Sequence, residues 1–237
     1  MNVTRQLVNS CYDKFRSKEE ITMLKGAIFD MDGLMFDTEQ IWQKNWNKTA
    51  AEMGIELAED FKYSICGTSG KLMNSVIEKY YGVEDGSEIA ALVKQRVHDD
   101  LIEFTPEKPG VHEILEFFRE KGVRMAVASS STEEVIRRNL QNTNTEDYIE
   151  VIVSGSGMAN GKPAPDIFLK AAEELGIAPE ECYVFEDAFN GVMAGYNAGC
   201  RTIMIPDMSQ PTDEIRAMAT GGVYDSLLAA IEALKAE

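Results

Sequence analysis

Phe29-Asp30-Met31-Asp32-Gly33-Leu34-Met35-Phe36-Asp37-Thr38-Glu39, FDMDGLMFDTE, follows the short apolar run Leu24-Lys25-Gly26-Ala27-Ile28. The run reads as a strand over 25–30, too short for a helix of ordinary length. It ends in Asp30 and Asp32, two carboxylates one residue apart. Burial disfavours each charge and the two repel, so the pair needs something positive between them. The chain then starts a helix near Asp37, where Asp37 and Gln40 fit a reciprocal N-cap.

Beyond that point the apolar residues keep helical spacing. Trp42, Trp46, Thr49, Ala50 and Met53 recur as one stripe up to Gly54, and such a stripe reads as packing rather than a ligand site. Further helices are expected over 70–81 (Met73, Val76, Ile77, Tyr80) and 87–104 (Ile89, Leu92, Val93, Val97, Leu101), and no strand between 38 and 105. From Pro109 the pattern alternates. Helices over 109–121, 132–141, 165–175, 190–198 and 226–236 interleave with strands over 123–128, 150–154, 182–186, 201–205 and 222–224. The expected fold is α/β, a Rossmann-like parallel sheet with helices on both faces and a helical block inserted after its first strand. The boundaries are an N-terminal extension over 1–22, a core of 23–38 and 104–237, and the inserted block of 39–103.

If the sheet is parallel, its strand exits share one rim, where such folds bind ligands. The first strand delivers Asp30 and Asp32, and the strand over 123–128 delivers Ser129-Ser130-Ser131-Thr132. The segment after 150–154 brings Lys162-Pro163, and the strand over 182–186 ends in Glu186-Asp187. Each has an ordinary explanation alone: a helix N-cap for the serines, a solvated loop for the acids, a surface lysine. Together they point to a metal-assisted site. An oxygen-only donor set suits Mg²⁺, which takes carboxylates, waters and substrate phosphate. Asp30 is then a candidate nucleophile, with Asp32 donating a proton to the leaving group and later activating water. Ser129, Ser130, Lys162 and the backbone N–H groups after Ser131 would neutralise phosphoryl oxygens. Gly155-Ser156-Gly157 lacks the continuation of a dinucleotide site.

Composition narrows the partners. The 237 residues, 44% apolar and 27% charged, suit one large domain or a core with an appendage. A net charge of −17 argues against nucleic acid, and obliges any anionic substrate to find local positive charge. No apolar run approaches the roughly 20 residues of a membrane span, and residues 1–22 lack the apolar centre of a secretory signal. Cys11, Cys66, Cys182 and Cys200 show no CxxC spacing, and the last two fall in or beside core strands, in keeping with a reducing, cytoplasmic setting. The expected protein is a monomer acting on a small phosphorylated metabolite.

With these residues in this order, the chain resembles the haloacid dehalogenase superfamily, in its phosphatase and phosphomutase branch with a small helical cap. The motifs are DxDG at Asp30-Met31-Asp32-Gly33, the strand-end Ser129, the KP lysine Lys162, and Glu186-Asp187 followed by Ala188-Phe189-Asn190-Gly191-Val192. The resemblance implies an aspartyl-phosphate on Asp30 and acid/base work by Asp32. It implies Mg²⁺ held by Asp30, the main-chain carbonyl of Asp32 and Asp187, with Glu186 in support through water. It also implies that 39–103 is a mobile cap that closes over the site and selects the substrate, with Trp42 and Lys71 as candidate contacts.

Within that branch the leading expectation is a Mg²⁺-dependent phosphatase for a sugar or polyol phosphate. The main alternative is a β-phosphoglucomutase-like isomerase. In those mutases a cap-hinge histidine lies four residues after the threonine of the Asp-Thr pair, where this chain has Trp42. They also carry an arginine shortly after a glycine turn, where this chain, in Gly67-Thr68-Ser69-Gly70-Lys71, has glycine beside Lys71. Both departures favour hydrolysis. A dehalogenase would not need Asp32, and a catalytically silent metabolite-binding protein would not need every chemical position filled.

Overall fold

The structure is a computed structural model describing residues 24–65, 68, 70–208 and 210–236. The expectations placed on 1–22, Cys11, Cys66, Gly67 and Ser69 lie outside the described residues. Strands β1 (Gly26–Phe29), β2 (Arg124–Ser129), β3 (Val151–Ser154), β4 (Cys182–Glu186), β5 (Arg201–Met204) and β6 (Gly222–Val223) form one sheet in the order β3-β2-β1-β4-β5-β6. Every neighbouring pair is parallel. β1 sits at the centre, and the pairing continues past its end, where the Asp30 N–H donates to the Phe185 carbonyl at 3.0 Å.

Period-two alternation along β1 assigns its residues to two layers. Ala27 and Phe29 pack with α5 (Val111–Glu120), α6 (Glu133–Asn142) and α10 (Leu227–Lys235). Ile28 faces the other layer, with α7 (Asp166–Leu175) and α8 (Phe189–Asn197). Burial on both faces is why the central strands read as unbroken apolar runs. Phe29 stacks on Phe185 with centroids 4.9 Å apart and meets the edge of Phe118 at 6.1 Å. Such aromatic pairs add about 0.5–1.5 kcal/mol each beyond area burial and hold the end of β1 beside the end of β4.

Between β1 and α5 the chain forms α1 (Thr38–Glu52), α2 (Phe61–Ile65), α3 (Gly70–Tyr81) and α4 (Ser87–Glu103). They enclose a separate apolar cluster centred on Trp46, Phe61, Ile77, Tyr81 and Val93. Trp46 meets Phe61 and Tyr81 edge-on, and its carbonyl accepts from the Tyr81 hydroxyl at 2.8 Å. The stripe on α1 is packing as expected except at its end, where Met53 is 46% exposed beyond the last turn. The two connectors of this block run side by side. The Lys108 N–H donates to the Met35 carbonyl and the Asp37 N–H to the Pro106 carbonyl, both at 2.8 Å.

That second bond overturns the expected reciprocal N-cap. The Asp37 N–H is already taken by Pro106, so Gln40 donates to the Asp37 carboxylate instead, and that carboxylate accepts from no backbone N–H of the helix. Two short helices carry no expectation from sequence, α2 and α9 (Asp213–Met218). Each is under two turns and too brief to show a period, although Thr212 caps α9 by accepting from the Ile215 N–H at 3.3 Å.

Candidate active site

The sheet order reverses at β1, so β2 and β4 flank it and leave a crevice beyond their carboxyl ends. Asp30 and Glu186 are buried there, 7% and 1% exposed, and Asp187 is half-buried. One carboxylate oxygen from each lies within 4.8 Å of the others. Lys162, arriving from the loop after β3, donates to Asp30 and to Glu186, the latter at 2.6 Å. The second Glu186 oxygen accepts from the N–H groups of Asp187 at 3.0 Å and Ala188 at 3.2 Å.

Three carboxylates face one ammonium, and the imbalance is visible in their proton affinities. Burial pushes the Asp30 carboxyl up to about 8; Lys162 works against that and the Glu186 charge adds to it. Burial, then the charges of Glu186 and Asp30, hold Asp187 well above the usual carboxylate range. Burial alone would lower Lys162, but Asp30 and Glu186 outweigh it and keep the ammonium protonated. The cluster therefore retains a proton that a divalent cation could replace. This donor set, all oxygen and short of positive charge, fits Mg²⁺.

Two glycines of the opening motifs make room for these acids. A Cβ on Gly191 would fall 1.7 Å from Glu186 Oε1, and one on Gly33, at φ +90°, would fall 2.4 Å from Asp187 Oδ2. Neither position admits a side chain without displacing a carboxylate.

Asp32 stands apart from the three-acid cluster. Its Oδ1 accepts from the Thr38 hydroxyl at 2.9 Å, and its Oδ2 from Ser129 at 3.3 Å and Ser131 at 3.0 Å. Ser129 Oγ in turn accepts from the Ser131 N–H at 3.1 Å. The serine run thus serves Asp32 and not the helix: Thr132 takes the N-cap position of α6 without a side-chain bond. Thr38 and Ser131 are the site residues that sequence reading passed over. Their signal was present: Thr38 entered only as the threonine from which the hinge position was counted, and Ser131 only as one of three serines.

Other candidates stand elsewhere. Ser130 is exposed and makes no hydrogen bond to the acids. Lys71 is exposed on the first turn of α3, and Trp42 stacks on Trp46 at 6.1 Å within the helical block. Neither is brought against the strand-end acids. Asp207, in the loop after β5, pairs with Lys108 at 2.6 Å and adds to the field on Asp187. Lys108 also lies 3.7 Å from Asp37, so charge links both connectors to the loop after β5.

Comparison with known proteins is consistent with this geometry. A family model described as haloacid dehalogenase-like hydrolase matches residues 27–205. The phosphorylated carbohydrates phosphatase of Thermotoga maritima is 33% identical over 184 residues, 76% of this chain and 84% of that one. Hexitol phosphatase B of Escherichia coli K12 is 28% identical over 185 residues, 76% of this chain and 82% of that one. A solved Thermotoga maritima structure provisionally named β-phosphoglucomutase superposes with a TM-score of 0.76 at 27% identity, covering 90% of this chain and 99% of that one.

Proposed function

The chain belongs to the haloacid dehalogenase-like hydrolases and is a phosphatase, and we propose that it hydrolyses small sugar or polyol phosphates with Mg²⁺ through a phosphoryl group carried on Asp30. The observation that carries this reading is the buried contact of Lys162 with both Asp30 and Glu186 inside a three-carboxylate cluster. Asp30, Asp187 and the Asp32 carbonyl would hold the ion, with Glu186 supporting through water. When bound it supplies charge to offset the acids and the phosphoryl oxygens.

The chain's own groups then divide the work. An Asp30 carboxylate oxygen attacks phosphorus while the bond to the substrate oxygen breaks, and Asp32 gives that oxygen its proton. Asp32 next takes a proton from water, which attacks the phosphoryl group and frees Asp30. Ser129 and Lys162 neutralise phosphoryl oxygens through both steps. The block of 39–103 acts as the cap, excluding water and choosing the substrate, with Lys71 as a candidate contact. Trp42, stacked on Trp46, offers no proton-exchanging nitrogen where a mutase needs an imidazole, which favours hydrolysis. No helix among the described residues is long and apolar enough to cross a membrane. A cytoplasmic monomer without nucleic-acid partners accords with the acidic charge and the free buried thiols of Cys182 and Cys200.

The test is phosphate release from a panel of sugar and polyol phosphates, with and without Mg²⁺. Release is expected only with the ion and not from Asp30→Asn. With β-glucose 1-phosphate, free phosphate should appear faster than glucose 6-phosphate; the reverse order would make the chain a mutase.

A further inference from the structure

Away from the strand-end rim, α5 and α10 leave a groove of about 590 Å³ between them. Its floor is apolar, from Phe117, Leu228 and Ile231, while Glu113, Glu116, Glu120 and Glu232 line it with a single lysine, Lys235, which pairs with Glu232 at 2.8 Å. Glu113 and Glu120 make no ion pair among the described residues. We propose that the N-terminal segment of this chain, residues 1–23, docks in this groove.

Three observations select this occupant. First, the chain enters the fold beside the groove: Leu24 packs against the core cluster shared by α5 and α10, and with Lys25 it lines a cleft with Lys121 and Gly122, just past the groove's Glu120. Second, the length suffices. The groove follows α5 from His112 to Glu120, about 12 Å at helical rise, while 23 residues reach roughly 34 Å even if helical. Third, the chemistry is complementary. In a chain of net charge −17, residues 1–23 carry four bases, Arg5, Lys14, Arg16 and Lys18, against three acids, Asp13, Glu19 and Glu20, and residues 1–18 hold all four bases with Asp13 alone. Among them Leu7, Val8, Cys11, Tyr12 and Phe15 recur at three- and four-residue spacing, the stripe that an apolar floor would bury.

Trypsin reads the undocked population, because cleavage of a segment that opens and closes rapidly follows its open fraction. In full-length wild type, cleavage after Arg5, Lys14, Arg16 and Lys18 should be slower than in a free peptide of residues 1–23. Glu113→Lys with Glu120→Lys should speed it about tenfold, the effect of two opposed surface charges. Glu173→Lys, on the opposite layer, should leave it unchanged. Where reversal harms folding, Glu113→Gln with Glu120→Gln should still speed cleavage several-fold. A zero-length carbodiimide cross-linker should join Lys14 or Lys18 to the rim glutamates within single chains. Equal cleavage in wild type, variants and free peptide overturns the proposal, as do cross-links confined to dimers, which would assign the groove to a second copy.

Discussion

Asp30 and Asp32, adjacent in sequence but for one methionine, live in different electrostatic surroundings. Asp30 lies with Lys162 and two further carboxylates, whereas three hydroxyls surround Asp32. That division is what separate nucleophile and proton-transfer roles require, so Asp32→Asn should lower kcat by about 10²–10⁴ in phosphate-release assays while leaving Mg²⁺ binding largely intact. Gly191→Ala tests the acid cluster from its back. The added methyl would collide with the Glu186 carboxylate and cost about 1–3 kcal/mol, seen as a lower midpoint in denaturant and weaker Mg²⁺ activation. Unchanged stability and activation would mean that the carboxylate is not confined there. Most of this site was legible before the structure, because Asp30, Ser129 and the Glu186-Asp187 pair stand where strands end and apolar runs mark those ends, with Lys162 in the loop that follows β3. What was not legible was partnership: sequence put no hydroxyl on Asp32, while the fold turns Ser129 and Ser131 to its carboxylate and leaves Ser130 exposed.

At the scale of elements, long helices and central strands announced themselves and short ones did not. α3 and α4 follow their apolar period to within a residue of the expected ends. α2 and α9 are too short for periodicity, and the side-by-side connectors at 35–37 and 106–108 arise from backbone bonds between segments about seventy residues apart, which no local pattern encodes. The strands also make a chemical prediction. Burial pushes the Cys182 thiol up to about 11 and that of Cys200 up to about 12. Iodoacetamide at mildly alkaline pH should therefore label neither in the native protein and both after unfolding, as peptide mapping would resolve. Native labelling of either would show that the layer between the sheet and α7 opens.

For the whole molecule, the surplus of acid at the rim links folding, protons and metal. Asp30 has its ordinary value of 3.8 raised to about 8, so the folded state holds its proton more tightly than the unfolded chain. The stability from that proton is complete below the lower value and is lost as pH rises through the upper one. The metal-free protein should therefore lose this contribution between about pH 4 and about pH 8, and Asp187 shifts in the same direction. Mg²⁺ held by these acids would replace the proton, and its ligands must be deprotonated, so its effect should grow with pH. Thermal melts with saturating Mg²⁺ should show a larger gain near pH 8 than near pH 5, approaching about 2.7 kcal/mol at a hundredfold excess over Kd. An equal gain at both pH values would mean that the ion binds elsewhere.

The central claim is that Asp30 itself receives the phosphoryl group, and acid-quenched turnover tests it most directly. Asp32→Asn mixed with Mg²⁺ and a phosphorylated sugar should accumulate a phosphoryl adduct, and mass spectrometry should place it on the peptide carrying Asp30. An unmodified peptide, together with an Asp30→Asn variant that still releases phosphate, would contradict the account.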